Sequence, residues 1–120
     1  MSHRPEDLAS TLTERTRSRR IAAEKRISSA RTRVVAALRD RLRDGTVKHA
    51  WLIGSSVWGD PHDRSDIDVV VEGLSLDQRG VFWDELSQVA EMDIDLLHLE
   101  ELEPRFRARV LAEGIVIHSR

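Results

Sequence analysis

Two aspartates separated by one residue, Asp66 and Asp68, stand at the start of the apolar segment DIDVVVE. Alternate residues of a β-strand point to the same face, so the two carboxylates are predicted to project together while Ile67 turns into the core. Carboxylates this close repel each other and raise each other's pKa unless a cation lies between them. Oxygen ligands of this kind favour Mg²⁺ or Mn²⁺, and the pair is therefore predicted to form a metal site.

A second pair with the same spacing, Asp93 and Asp95, lies in the segment MDIDLLHL. This segment is also predicted to be a strand, so both of its carboxylates project from one face. If the two aspartate-bearing strands lie near each other in the sheet, one aspartate of the second pair can complete the metal site. The spacing alone leaves open which of the two it is.

Gly54 and Ser55 follow the segment KHAWLI, which is predicted to be a strand. Backbone amides at such a turn, with the N-terminus of a helix behind them, bind phosphate oxygens. Gly54 allows the backbone to approach a ligand closely, and the Ser55 hydroxyl adds a donor. A phosphate-binding turn beside a carboxylate metal site indicates metal-assisted phosphoryl or nucleotidyl transfer.

The elements that must position these residues alternate between strands and helices, which predicts the α/β class. Strands are predicted at residues 48–53, 66–72, 92–99 and 115–118. One helix is predicted from Ser75 to about Ala90, because the sequence that begins at Ser75 resembles a capping box. Another helix is predicted from Pro104 to Gly114. Trp51 and Trp83 are predicted to lie in the core.

The first third of the sequence predicts one long helix. Between Pro5, a favourable first-turn residue, and Gly45, a typical helix end, there is no other proline or glycine. An apolar stripe runs along the second half of this helix, at Ile27, Ala30, Val34, Leu38 and Leu42. This half is expected to dock on the core, whereas the first half is expected to project, to fray or to pack on another chain.

Length and charge set the outer bounds of the interpretation. The 120 residues suggest one domain with a single core, and the absence of cysteine excludes disulfides and thiolate metal sites. No apolar run approaches the roughly eighteen residues of a membrane span, and the N-terminus lacks a signal-peptide core, so we expect a cytoplasmic protein with no membrane partner. Residues 1–44 carry a net charge of +6 and residues 45–120 a net −8. An arginine-rich helix is most often only a solvated surface, but this excess of positive charge leaves an acidic partner and a nucleic-acid partner open.

Gly54-Ser55, ten further residues and then Asp66-Ile67-Asp68 form an arrangement that resembles the signature of the DNA polymerase β superfamily of nucleotidyltransferases. The segments RSDIDVVV, DIDLLHLEEL and EGIVIH resemble the minimal nucleotidyltransferase branch of that superfamily. The resemblance implies a fold like the palm of polymerase β, with a small mixed sheet flanked by helices. The basic N-terminal helix, residues 1–45 and partly projecting, would then precede a minimal nucleotidyltransferase domain at residues 46–120.

The resemblance also implies roles for individual residues. By this resemblance, the catalytic residues are Asp66, Asp68 and Asp95. The same three residues would bind two Mg²⁺ ions, with Mn²⁺ as the alternative. Nucleotide binding falls to Gly54, Ser55, Arg64 and Ser65. Asp95 is preferred to Asp93 because the family's third aspartate precedes two apolar residues and then a polar segment, as in DLLHLEEL. Trp58 stands where the family often has a basic residue, and its role is left open.

The minimal branch includes antitoxins that pair with a HEPN-domain RNase toxin and adenylylate one of its tyrosines from ATP. Similarity to these proteins implies that the chain moves AMP from ATP to a hydroxyl of such a partner protein. Two alternatives stay open: a transferase that acts on a small molecule, as in aminoglycoside-modifying relatives, or a non-catalytic module that binds a nucleotide or a partner. Self-association through the N-terminal helix is a further expectation.

Overall fold

The computed structural model describes residues 5–54 and 67–120, with side chains described from residue 17 onward. Its elements are α1 (Pro5–Arg43), β1 (His49–Ile53), β2 (Ile67–Glu72), α2 (Arg79–Ala90), β3 (Ile94–His98), α3 (Pro104–Glu113) and β4 (Ile115–Ile117). A mixed four-stranded sheet flanked by helices, preceded by a long N-terminal helix, confirms the predicted fold class. Within the described residues, no helix is both long enough and apolar enough to span a membrane.

The sheet has the strand order β3-β2-β1-β4. β1 pairs antiparallel with both β2 and β4, whereas β2 and β3 are parallel and are joined by the crossover helix α2. The end of β1 and the starts of β2 and β3 therefore lie at the same edge of the sheet. We call it the aspartate edge, because Asp68 and Asp95 are the second residues of β2 and β3.

The central strand β2 is buried on both faces, as its run of valines predicts. Val69 and Val71 belong to the larger apolar cluster, which α1 and α2 build on one face of the sheet. Val70 points the other way, into a smaller cluster that contains Trp51 and the α3 residue Val110. The molecule thus has three layers, with α1 and α2 on one side of the sheet and α3 on the other.

The second half of α1 docks on the sheet through its apolar stripe. Ala30, Val34 and Leu38 are fully buried, and Ile27 and Leu42 pack against the same cluster while partly exposed. The helix ends at Arg43, two residues before a glycine with a φ of 83°. A left-handed residue at this place is a common helix terminator, as the sequence predicted.

The predicted start of α2 is wrong. Residues 76–78 form a single 3₁₀ turn, and the α-helix begins at Arg79. A capping box requires the Ser75 hydroxyl to accept the hydrogen bond of the Gln78 amide. That amide donates instead to the Ser75 backbone carbonyl at 3.1 Å, so the Ser75 side chain makes no cap.

One of the two tryptophans predicted to be core is buried and the other is not. Trp51 is 6% exposed, as predicted, but Trp83 is 45% exposed, and the prediction for it is wrong. The buried stripe of α2 is already formed by Phe82 and Leu86, so the side chain after Phe82 falls at the flank of the helix. There the Trp83 Nε1 donates a hydrogen bond to the Ile94 carbonyl at 3.0 Å.

Candidate active site

Asp68 and Asp95 lie opposite each other on neighbouring parallel strands. The register pairs their Cα positions directly, and paired strands are about 4.8 Å apart. Asp68 is 9% exposed and Asp95 is partly buried. Two carboxylates from different strands are therefore held side by side at the aspartate edge, one of them almost removed from solvent.

Both carboxylates belong to the α3 face of the sheet. Because strand residues alternate between faces, Asp68 shares its side with Val70, and Asp95 shares its side with Leu97. Val70 and Leu97 pack in the α3-side cluster, whereas the intervening Val69 packs under α1 and α2. Asp68 and Asp95 thus lie on the same face of the sheet as α3, but nearer to the starts of β2 and β3.

The turn glycine predicted to bind phosphate lies at the same edge. Ile53, the last residue of β1, is the register partner of Asp68, and Gly54 leaves the strand immediately after it. The structure therefore brings Gly54, Asp68 and Asp95 together from three different strand ends. These residues are 14 or more positions apart in the sequence, so the sheet pairing is what makes them neighbours.

The register separates the two candidates for the third carboxylate. Asp95 is paired with Asp68 inside the sheet, whereas Asp93 precedes the first residue of β3 and is exposed. Asp93 is two residues before Asp95, so it belongs to the same face but lies beyond the start of β3. The geometry favours Asp95 as the partner of Asp68.

The donor set at this edge suits a hard divalent cation. Carboxylate oxygens are the ligands that Mg²⁺ prefers, and two of them from adjacent strands concentrate negative charge at one place. Both side chains also make interactions within the chain. No cluster of three or more potential metal-binding side chains occurs within residues 17–54 and 67–120, and Asp66, the third predicted ligand, lies outside the described residues.

The remaining predicted site residues are in the part of the chain between Gly54 and Ile67. Most of them are predicted to bind the nucleotide. The predicted residues that lie outside the described part of the chain are Ser55, Trp58, Arg64, Ser65 and Asp66.

Shifted pKa values among the described residues mark the opposite edge of the sheet. Burial, with the nearby Arg79 guanidinium, lowers the pKa of His98 at the end of β3. The hydrogen bond from Arg79 lowers the pKa of Glu101, to which it is ion-paired at 2.8 Å. These groups form a structural ion pair at the far ends of β2 and β3, away from Asp68 and Asp95.

Sequence reasoning missed the contact that Trp83 makes beside the acidic pair. Its indole N–H bonds the carbonyl of Ile94, the residue directly before Asp95. β3 is an edge strand of the described sheet, so this carbonyl group is satisfied by a helix side chain rather than by another strand. A contact at the flank of α2 could have been predicted from the position of Trp83, because it directly follows Phe82 of the buried apolar stripe.

Comparisons with known proteins identify the family and the fold of the chain. A search of curated protein sequences found no match. A solved structure assigned as a minimal nucleotidyltransferase is 28% identical, with a TM-score of 0.57, and the match covers 74% of this chain and 93% of that one.

Two toxin–antitoxin structures show the same fold. One, solved with AMP-PNP, has 24% identity and a TM-score of 0.52, and the other, a mutant of MntA–HpeT, has 21% identity and a TM-score of 0.53. Each match covers 72% of this chain and 73% of the other. The family model described as polymerase beta, nucleotidyltransferase matches residues 37–120, which is more than half of the sequence. The chain belongs to the polymerase β nucleotidyltransferase family.

Proposed function

We propose that the chain transfers AMP from ATP to a hydroxyl group of a partner protein, with Mg²⁺ as cofactor, and that it acts as an antitoxin toward this partner. The observation that carries the proposal is the pairing of Asp68 with Asp95 beside Gly54, in a chain that belongs to a nucleotidyltransferase family. Structural alignment with a complex that contains AMP-PNP, an ATP analogue, supports ATP as the nucleotide.

In this proposal the metal ligands are Asp66, Asp68 and Asp95. A Mg²⁺ ion held by these carboxylates would supply the positive charge that offsets the negative charge of the phosphate oxygens during transfer. Asp68 contributes a carboxylate that is already almost buried, so its orientation is fixed before any ligand binds. Asp95 contributes the neighbouring carboxylate from β3.

The nucleotide would be held by residues at the end of β1 and in the following segment. Gly54 allows the backbone to approach the phosphates, and Ser55 and Ser65 offer hydroxyl donors. Arg64 supplies a cation for the triphosphate, which matters because Trp58 replaces the basic residue that the family often has. This assignment rests on the location of Gly54 at the aspartate edge and on the family signature.

The reaction is an in-line displacement at the α-phosphorus of ATP. The acceptor oxygen forms a bond to this phosphorus while the bond from phosphorus to the oxygen that bridges to the β-phosphate breaks. The electron pair of the broken bond leaves with pyrophosphate. The proton of the acceptor hydroxyl passes to the Asp95 carboxylate.

A protein acceptor is supported by the kind of protein this chain resembles. Two of its structural neighbours are toxin–antitoxin structures, and the sequence resembles antitoxins that act on HEPN-type toxins. The proposed partner is accordingly a toxin of this type, and its acceptor group is the hydroxyl of a tyrosine.

The test is incubation of the full chain with ATP labelled at the α-phosphate, Mg²⁺ and host lysate, followed by separation of the labelled macromolecules. We expect one labelled protein with the wild type and none with Asp68→Asn. Asp84→Asn, which removes an exposed carboxylate from α2, is the matched control and should label like the wild type. Equal labelling by Asp68→Asn and the wild type would contradict the proposal.

A further inference from the structure

The helix α1 extends beyond the aspartate edge. Arg41 is ion-paired with Glu85 in the middle of α2, at 3.0 Å. Eight residues earlier, Arg33 donates hydrogen bonds to the carbonyl groups at the end of α2, the one to Ala90 at 3.0 Å. Because α2 ends just before β3 begins, the Arg33 region is level with the aspartate edge, and earlier residues of α1 lie further out.

The last contacts between α1 and the rest of the fold are made around Ala23 and Ile27. These two residues line a groove of about 440 Å³ together with Ala90 and Met92. Residues 17–22 are all exposed. At about 1.5 Å per residue, residues 5–22 extend about 27 Å past this groove, in agreement with a longest molecular dimension of 65 Å. We call residues 5–26 the arm.

Residues 17–26 of the arm are strongly basic, whereas residues 5–16 carry three acidic residues and one basic residue. Residues 17–26 contain one acidic residue, Glu24, against five basic residues, all exposed: Arg17, Arg19, Arg20, Lys25 and Arg26. None of these five has an ion pair within the described residues. The positive charge is therefore available to a binding partner rather than used inside the fold.

Part of this charge is on the side of the helix that faces the sheet. Ile27, Ala30 and Val34 belong to the stripe that docks on the fold, and Ala23 lines the groove beside Ile27. Residues three or four positions earlier continue the same side of the helix. Those positions before Ala23 are Arg19 and Arg20. The docking stripe thus changes from apolar to basic where α1 passes the end of the sheet, because Arg19 and Arg20 follow the apolar stripe on the same side of the helix.

We propose that the arm is the docking surface for the protein that carries the acceptor hydroxyl, and that this protein presents an acidic surface to it. The acceptor role rests on the proposed function, whereas the acidic character of the partner rests on the charge of the arm. Ile21, 45% exposed and one helical turn from Arg17, places an apolar side chain beside an arginine, a mixture found in protein interfaces. Residues 1–50 contain no Phe, Trp or Tyr to stack on single-stranded nucleic acid.

The stability of the arm points to the same role. A helical segment of this length without tertiary contacts is marginal in water, so packing against a partner would stabilise it. Charged contacts at an exposed surface also accelerate association and fix orientation. An acidic partner seated on the arm would lie just beyond the aspartate edge, on the side of the sheet that α1 covers.

The test measures binding of a fluorescent random copolymer of glutamate and tyrosine to the full chain by anisotropy. The arm variant is Arg19→Glu with Arg20→Glu, and the matched control is Arg105→Glu with Arg120→Glu, which changes the net charge equally at exposed sites elsewhere. We expect the arm variant to bind at least about tenfold more weakly, because two attractions become repulsions, and the control to bind like the wild type. Far-ultraviolet circular dichroism checks that each variant retains its helix content.

The measurement needs neither ATP nor metal, so its outcome is independent of catalysis. If the wild type binds the copolymer but transfers no AMP to any protein, the proposed function fails and the arm proposal stands. The arm proposal fails if the arm variant binds the copolymer as well as the wild type. It also fails if an RNA hairpin binds the wild type more tightly than the copolymer at the same salt concentration, because the arm would then be a nucleic-acid surface.

Discussion

The two faces of the β-sheet use the same strands for different purposes. On the side of α1 and α2, β2 contributes Ile67, Val69 and Val71, all buried in the large apolar cluster. On the side of α3, the same strand contributes Asp68 at its start before Val70 enters the smaller cluster. A shift of one residue separates a position that stabilises the fold from one that is placed for chemistry, because side chains alternate along a strand.

This difference predicts two separable kinds of mutational effect. Changes on the α1 and α2 side should alter the free energy of unfolding, and changes at the aspartate edge should alter turnover. A substitution that lowered the free energy of unfolding and turnover to the same extent would count against a division of roles between the two faces.

The largest expected effect is that of Asp68→Asn on nucleotidyl transfer. The substitution keeps the size of the side chain but removes a charge from the proposed metal site, so turnover should fall by at least ~10²-fold. The thermal unfolding midpoint should stay close to that of the wild type. Pyrophosphate release measures the turnover, and wild-type turnover in this variant would contradict the proposed mechanism.

On the opposite face, Leu86→Ala should act on stability. Leu86 is fully buried in the large cluster, so truncation leaves a cavity that costs about 2–5 kcal/mol of the free energy of unfolding. Leu111→Ala, at a residue that is 53% exposed, is the control and should cost much less. Urea denaturation measures both. Similar losses for the two variants would show that the large cluster does not carry the stability of the fold.

A smaller effect is expected for Trp83→Phe, which removes the hydrogen bond to the Ile94 carbonyl. Such a bond contributes about 0.5–1.5 kcal/mol, and partial exposure of the site lets water replace it. The loss should be local, with faster amide hydrogen exchange in β3 than in β1. Val81→Ala, at a neighbouring exposed position, serves as the comparison. Unchanged exchange in β3 would show that the indole does not support this strand.

The smallest effect concerns the pH dependence of the turn after α1. Hydrogen bonds from the Thr46 hydroxyl and amide, with a further one from Arg41, lower the pKa of Asp44 to about 2 from an ordinary 3.8. Because the folded pKa is depressed, the stabilisation is present above pH ~3.8 and is lost as pH falls toward ~2. Asp44→Asn should therefore lose stability relative to the wild type at neutral pH, and the difference should shrink in acid. Denaturation midpoints across this range would contradict the interpretation if the difference stayed constant.

The sequence predicted the elements of the fold better than their contacts. The alternation of residue types in DIDVVVE and in MDIDLLHL was enough to predict two strands. It also predicted that the two aspartates of each pair point to the same face, since both are local properties of the sequence. The choice between Asp93 and Asp95 depends on how β2 and β3 are aligned, and register is a non-local property that the sequence pattern does not determine. The start of α2 was missed for a similar reason, because the Gln78 amide had two competing acceptors on Ser75.

The direction of the long helix was also beyond the reach of the sequence. The stripe from Ile27 to Leu42 predicted which half would dock, and both residues do pack against the core. That the undocked half passes the aspartate edge, rather than the opposite edge, follows from the contacts of Arg33 with the end of α2. Those contacts join residues more than fifty positions apart in the sequence.

The most direct measurement of the pairing of Asp68 with Asp95 is Mn²⁺ binding, followed by the electron paramagnetic resonance signal of the free ion. The variants are Asp68→Asn, Asp95→Asn and, as the matched control one alternation away, Asp93→Asn. We expect the first two to weaken Mn²⁺ binding strongly and Asp93→Asn to bind nearly as the wild type does, because only Asp95 is in register with Asp68. Strong loss in Asp93→Asn together with wild-type binding in Asp95→Asn would contradict the proposed site.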